Sequence, residues 1–305
     1  DNINIDSNNI NMTNSGGAEA IRITGRNNTI FLNKINHSST SDDAISVEAN
    51  RNIIHSNVIN TTGGGGVNHV LGGGHGIVLD SLNNTVYLNN ISTNSRDGIF
   101  VRLSNNTIHS NRINTITGTG IFFTVSASPT INNTLMFNNI INTTGSIADG
   151  INLTGFNNNI SLNYIETRGA NSLAIRLNSP SSNNTFFNNT IFTNDANSYG
   201  FQLTSVQNIS ISQSGIRTTG TSGYGIYVSG TTFNISLQSN NINTSGSYAH
   251  GIFIDRNSNG SVLLYNSVNT SGDGDALKIN GSNTNISHNN FETRGNASYG
   301  ANIIS

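Results

Sequence analysis

A unit of roughly 25 residues recurs along nearly the whole chain, and a repeat of that length restricts the possible folds more than any other feature. Each unit opens at a small residue placed before an apolar one: Ala20, Ala44, Gly76, Gly98, Gly120, Gly150, Ala174, Gly200, Gly225, Gly251, Ala276 and Gly300. The unit from Gly98 reads GIFVRLSNNTIHSNRINTITG and holds three short apolar stretches separated by polar turns. Alternation over three or four residues makes a short strand, and no stretch has the length or the 3.6-residue period of a helix. One such unit cannot bury its own apolar face, so successive units must stack, each strand beside its counterpart in the next. The expectation is an all-β chain, a single right-handed parallel β-helix over residues 1–305. It should have about twelve coils of three strands, no separate caps, and a length on the order of 55 Å.

Asparagine makes up about a fifth of the 305 residues, a bias that by itself suggests disorder. Phase within the repeat argues otherwise and sorts the asparagines into classes. One class stands two residues before the apolar residue of the third strand: Asn33, Asn57, Asn89, Asn111, Asn138, Asn163, Asn189, Asn240, Asn266 and Asn289, with Ser214 in one coil. Stacked at coil spacing, their amides should form an inward ladder, and Asn tolerates the left-handed backbone of a tight corner. A second class carries the sequon Asn-x-Ser/Thr. Asn27, Asn83, Asn105, Asn132, Asn208, Asn234 and Asn259 fall in the turn before the second strand, whereas Asn36, Asn60, Asn243 and Asn269 follow an inward residue of the third. These are expected to face solvent and to accept N-glycans if the protein is exported.

The net charge is −2 and only 9% of residues are charged, so nothing is basic enough to track a phosphate backbone and no nucleic-acid partner is expected. There is no Cys, which excludes a disulfide framework and thiolate metal sites. No apolar run reaches membrane-spanning length. The opening DNINIDSNN is neither basic nor apolar.

The stretch Asp97 to Ile113, DGIFVRLSNNTIHSNRI, resembles the right-handed parallel β-helix repeats of the pectate-lyase-like superfamily. It is most similar to the NosD-like carbohydrate-binding and sugar-hydrolase repeats and to Asn-rich surface solenoids. That resemblance implies the fold over nearly all of the chain, while the same solenoid serves lyases, hydrolases, adhesins and fibres. SDDAISV from Ser41 to Val47, then GHG from Gly74 to Gly76 and Arg102, is similar to the order of the polygalacturonase signature. By that resemblance Asp42, Asp43 and His75 are the candidate catalytic residues, because inverting glycoside hydrolysis needs a protonated carboxyl and a second carboxylate that assists water. The family's Asn-Thr-Asp is replaced here by Ala18-Glu19-Ala20, and Leu103 and Ser104 stand where its lysine would follow Arg102. The residue before the small one is Asp, His or Tyr in many coils: Asp43, His75, Asp97, Asp149, Tyr199, Tyr224, His250, Asp275 and Tyr299. Asp43 and His75 therefore read as variants of a surface corner, and the protein is not expected to be an enzyme.

Two insertions interrupt the repeat, Thr61 to His75, rich in Gly, and Ser126 to Asn133, which contains one of the two prolines. Calcium bound by Asp42 with Asp43, or by Asp273 with Asp275, is a lesser expectation, and no cofactor is called for. Tyr199, Tyr224 and Tyr299 share a phase that suits a glycan-stacking strip. The chain starts in mid-repeat and ends at a first-strand equivalent, Gly300 to Ser305. Together these features lead to the expectation of an extracellular or cell-surface glycoprotein that stacks on itself head to tail as part of a fibre. The alternatives are a polysaccharide-active β-helix enzyme, polygalacturonase-like hydrolase or lyase, and a glycan-binding or adhesive module.

Overall fold

A computed structural model describes residues 1–13, 17–39, 42–63, 73–124 and 131–304. The chain forms a right-handed parallel β-helix of three parallel sheets with twelve strands each, and there is no helix among the described residues. The first sheet runs from Ile21–Ile23 to Ala301–Ile303, the second from Asn4–Asp6 to Asn285–Ser287, and the third from Asn9–Met12 to Asn290–Thr293. Register does not slip. Ile99 lies between Ile77 and Ile121, and Ile113 between Ile91 and Ile141, so each inward position of the repeat becomes an apolar column along the axis. These columns fuse into one core in which Ile54, Ile91, Ile113 and Ile165 are completely buried. Every strand packs on its counterpart one coil away.

Coil closure explains the small residue at each coil head. A Cβ on Gly98 would stand 2.3 Å from Ile113 Cγ2 and 2.7 Å from the Gly120 carbonyl oxygen, so at this coil head even an Ala methyl requires its neighbours to shift, and larger side chains are excluded. The second strand is three residues long in most coils and is bracketed by left-handed residues, such as Asn105 (φ 59°) and Ser110 (φ 55°) about Thr107–His109. Two such residues per coil turn the chain sharply at both ends of that strand.

The asparagine ladder is present, with one correction and one extension. Asn139, not Asn138, is the ladder residue of its coil. The strand Ile140–Thr143 turns Ile141 inward and leaves Ile140 exposed, so counting two residues back from Ile140 lands on Asn138, which is exposed and left-handed (φ 55°). The ladder also begins a coil earlier, at Asn8. Its members are not themselves left-handed, as the sequence suggested; that conformation belongs to the residue before each, including Leu32, Leu88 and Leu162. Oδ1 of Asn111 accepts the Asn89 N–H at 3.1 Å and its Nδ2–H at 3.0 Å, while Nδ2 of Asn111 donates back to the Val86 carbonyl at 3.0 Å and on to Asn139 Oδ1 in the next coil at 3.0 Å. The buried amide is thus satisfied both up and down the axis. A second ladder, Asn28, Asn52, Asn84 and Asn106, then Asn158 and Asn184 beyond Thr134, lines the other end of the second strand.

The third strands end in a buried threonine column. Thr143, Thr167, Thr193 and Thr244 each donate a hydroxyl to the carbonyl five residues on, at 2.6, 3.2, 2.8 and 3.0 Å, which closes the turn toward the next coil head. The two insertions expected at Thr61 to His75 and at Ser126 to Asn133 lie largely outside the described residues.

Candidate functional site

The outer face of the first sheet holds most of the unusual chemistry. Three rows of side chains leave this face: the corner residue before each small residue, the middle residue of each strand, and the residue after the strand. In the coils around Ile45–Val47, Ile77–Leu79 and Ile99–Val101 those rows supply Asp43, His75 and Asp97, then Phe100, then Glu48, Asp80 and Arg102. Strand alternation puts them there.

Asp43 Oδ1 accepts the His75 backbone N–H at 3.0 Å. His75 Nδ1 stands 3.2 Å from the Asp97 carboxylate and 3.3 Å from the Asp97 N–H, and its ring stacks on Phe100 at 4.7 Å. Nε2 of His75 is buried without a hydrogen-bond partner among the described residues. Arg102 donates to both oxygens of Asp80 from Nη1, at 2.9 and 3.1 Å, and lies 4.7 Å over the Phe100 ring. Burial holds the Asp43 carboxyl above the ordinary carboxylate range, although His75 and Arg102 pull it the other way. Burial also raises Asp80, against the pull of Arg102. Carboxyls raised by desolvation beside a histidine and a guanidinium are the groups from which acid and base catalysts are made.

The sequence-derived candidates divide here. Asp43 and His75 come together. The exposed-corner reading of His75 is corrected: its side chain is only 1% exposed because it packs against Phe100 and Asp97. Asp42 instead interacts with Glu19 and His37, away from the His75 to Arg102 cluster; burial raises its pKa as well, with Glu19 adding to the effect. Among the described residues no group of three or more His, Asp or Glu side chains is placed to hold a metal ion, at the calcium candidates or elsewhere. Several corner aspartates have a structural duty. Asp97, Asp149 and Asp275 each accept the N–H of the corner residue one coil on, Thr119, Leu173 and Tyr299, at 2.8 Å.

Further along the same face Tyr199 and Tyr224 stack at 4.9 Å, and Tyr227 and Phe253 at 5.2 Å. Tyr299 stands apart, 62% exposed. Asp80, Phe100, Tyr227 and Phe253 were missed from the sequence, yet the third residue of each GIx coil head was legible and would have given Phe100, Tyr227 and Phe253. Asp80 follows its strand by one residue and shares no motif with its counterparts in other coils.

Of the sequon asparagines, Asn27, Asn83, Asn105, Asn208, Asn234 and Asn243 are exposed, and the first five are left-handed. Asn36, Asn60, Asn132, Asn259 and Asn269 are half-buried. Several also pair with asparagines of adjacent coils: Asn60 donates to Asn36 at 3.1 Å, and Asn234 to Asn208 at 3.1 Å. Turn geometry and amide pairing therefore give these positions a reason to be Asn apart from any glycan. Two depressions of about 430 and 380 Å³ lie on the third sheet, one lined by Arg112, Tyr164, Glu166 and Arg168, the other by Arg217, Asn243 and Ser271. Glu166 is already engaged by Arg168 and Tyr164, and the second has no carboxylate. Neither assembles the chemistry found on the first sheet.

No protein-family model and no curated protein sequence matches the chain. Solved structures do. Vag8, in its complex with C1 inhibitor, is 14% identical, with a TM-score of 0.60 over 98% of this chain and 74% of that one. The Dettilon tailspike protein is 16% identical, with a TM-score of 0.59 over 100% of this chain and 60% of its own. The periplasmic alginate epimerase AlgG is 12% identical, with a TM-score of 0.51 over 93% of this chain and 76% of its own. At these identities the likeness is one of fold, and the fold is the right-handed β-helix of the pectate-lyase-like proteins. It also corrects the expectation of a non-catalytic protein, since the neighbours sharing this solenoid include an epimerase that acts on a polysaccharide. No helix among the described residues is long and apolar enough to cross a membrane.

Proposed function

We propose that this chain is a polysaccharide-active β-helix protein working outside the cytoplasm, with its glycan laid along the outer face of the first sheet and its reacting end at Asp43, His75, Asp80 and Arg102. The observation that carries this reading is the pairing, on one face, of two carboxyls raised by burial with a histidine and a guanidinium. A carboxyl whose hold on its proton is strengthened by burial suits a general acid that protonates a glycosidic oxygen. A guanidinium beside it stabilises negative charge as it develops. In an exported protein the exposed sequons at Asn27, Asn83, Asn105, Asn208 and Asn234 would be open to glycosylation.

The test is turnover of a polysaccharide panel, followed by reducing ends, unsaturated products and proton exchange. Conversion of at least one polymer is expected, falling roughly 100-fold or more in Asp43→Asn and Asp80→Asn. Asn at position 43 retains an acceptor for the His75 N–H and removes a charge that burial disfavours. Asp43→Asn should therefore keep or raise the melting temperature while activity falls. Absence of turnover throughout the panel, or variants as active as the parent, would overturn the assignment.

A further inference from the structure

We propose that Tyr199, Tyr224, Tyr227 and Phe253 form a second, distal subsite that takes uncharged sugar units of a long glycan; this rests on the polysaccharide reading of the first-sheet face. Two stacked ring pairs meet nearly at right angles. Tyr199 and Tyr224 lie at 78° and 68° to Tyr227, and Tyr224 lies at 85° to Phe253, with centroids 5.5 to 5.8 Å apart. The result is an aromatic corner with two walls, built from side chains that leave the solenoid and contribute nothing to its core. All four rings are half-buried. Four large rings gathered on the outside of a solenoid form the type of patch that marks a binding site, and an aromatic wall suits the apolar face of a sugar ring.

Charge selects the kind of sugar. The three guanidiniums of this face are each held by a carboxylate on a neighbouring coil: Arg22 by Glu48 at 2.8 Å, Arg102 by Asp80 at 2.9 Å, and Arg176 by Asp149 at 2.6 Å. Near the rings, Lys278 lies over Phe253 at 5.1 Å, and Asp255 faces Tyr227. Of the cations nearest the rings, Arg176 is already neutralised by Asp149 and Lys278 is set over the face of Phe253, while Asp255 would repel a uronate or sulfate. A neutral sugar meets rings, phenol hydroxyls and the Gln202 amide, all suited to hydroxyl groups.

Distance selects length. The strand Ile226–Ser229 lies six coils beyond Ile77–Leu79. At about 4.8 Å per coil the two places are about 29 Å apart, so one ligand reaches both only if it is a polymer.

The experiment is affinity electrophoresis of the whole chain in galactomannan, xyloglucan and dextran, beside polygalacturonate and alginate, at low and physiological salt. The expected result is retention by at least one neutral polymer with little salt dependence. Tyr227→Ala and Phe253→Ala should each weaken that retention roughly tenfold. Turnover by the same variants should show a raised KM for the polymer with kcat retained, and their far-ultraviolet circular dichroism should match the parent. Unchanged retention in both variants overturns the subsite. Preferential retention in the uronate polymers overturns the neutral-sugar assignment and leaves the polysaccharide reading standing. Retention in none of them overturns both.

Discussion

At the scale of single residues, the stability of this chain depends on amides that have no slack. In the regular part of the ladder one Asn oxygen takes two donors of the preceding coil, as Asn89 does from Asn57, and the Nδ2 of Asn57 also donates to the Ile30 carbonyl. The ladder weakens at Ser214. Its hydroxyl accepts the Asn189 N–H at 3.2 Å, but the Nδ2 of Asn189 then donates only to the Ile160 carbonyl. Ser214→Asn should restore the missing amide contact and raise stability by about 1 kcal/mol, read as a shift of the denaturation midpoint at constant slope. Asn111→Ala, which orphans donors of Asn89 in a regular part of the ladder, should cost about 2–3 kcal/mol. The ladder was legible in the sequence because composition and phase agreed at every coil except one. There the doublet Ile140-Ile141 hid which residue turned inward, and the reading fell on Asn138. The second ladder was harder to see because Asn28, Asn84 and Asn106 sit inside sequons, where the same letters suggest a surface turn.

At the scale of one element, the second sheet carries a column of stacked rings on its outer side: Phe31, His55, Tyr87, His109 and Phe137, with centroids 4.7 to 5.1 Å apart and planes within 11°. Their faces are spent on one another, so this column serves the sheet and presents only edges to solvent. Burial lowers the pKa of both His55 and His109, so the folded state favours neutral imidazoles. Above about pH 6.5 both states are neutral and the column costs nothing; as pH falls through that value the unfolded chain takes up protons that the folded chain resists. Stability should therefore decline from about pH 6.5 downward and continue to do so until the lowered folded values are passed. Asp43 and Asp80, raised by burial, act in the opposite direction in acid. The informative quantity is consequently the difference between parent and a His55→Tyr, His109→Tyr double variant. Their melting temperatures should be closest near pH 7.5 relative to pH 5.5, with the parent losing more on acidification. Equal losses would show that the imidazoles are not disfavoured as cations. No sequence rule pointed to this column, because its five rings sit at a polar-facing position that other coils fill with Ser, Gln, Leu, Asp or, at Phe187, a ring flanked by serines.

At the scale of the whole molecule, a solenoid in which each coil touches only its neighbours should tolerate removal of one coil but not part of one. Deleting Ala174 to Tyr199 joins Leu173 to Gly200, which places one coil head where another stood. Phe201 then pairs with Ile151 in the register that Ile175 now occupies. Asn163 meets Ser214 as Asn189 does, and Leu173 keeps its bond to Asp149. The deletion removes Arg176, the partner of Asp149, so Gln202→Arg is included to return a guanidinium to the vacated position. This shortened chain should give a parallel-β circular dichroism spectrum and a single cooperative melt. Deleting Ala174 to Phe186 throws every later inward residue out of phase and should abolish the melt, because a slip of phase buries the polar row and exposes the apolar one. Deleting Gly150 to Leu173 instead joins Asp149 to the coil head at Ala174, and moves the aromatic corner about 4.8 Å closer to Asp43 and Asp80 with Tyr199, Gln202 and both sets of side chains retained. If a single polymer engages both, its affinity should fall toward that of a short oligosaccharide, whose own binding is unchanged, since bridging depends on the ligand spanning a fixed separation. Equal affinity for polymer before and after the deletion, in a protein that still melts cooperatively, would mean that the two places act independently.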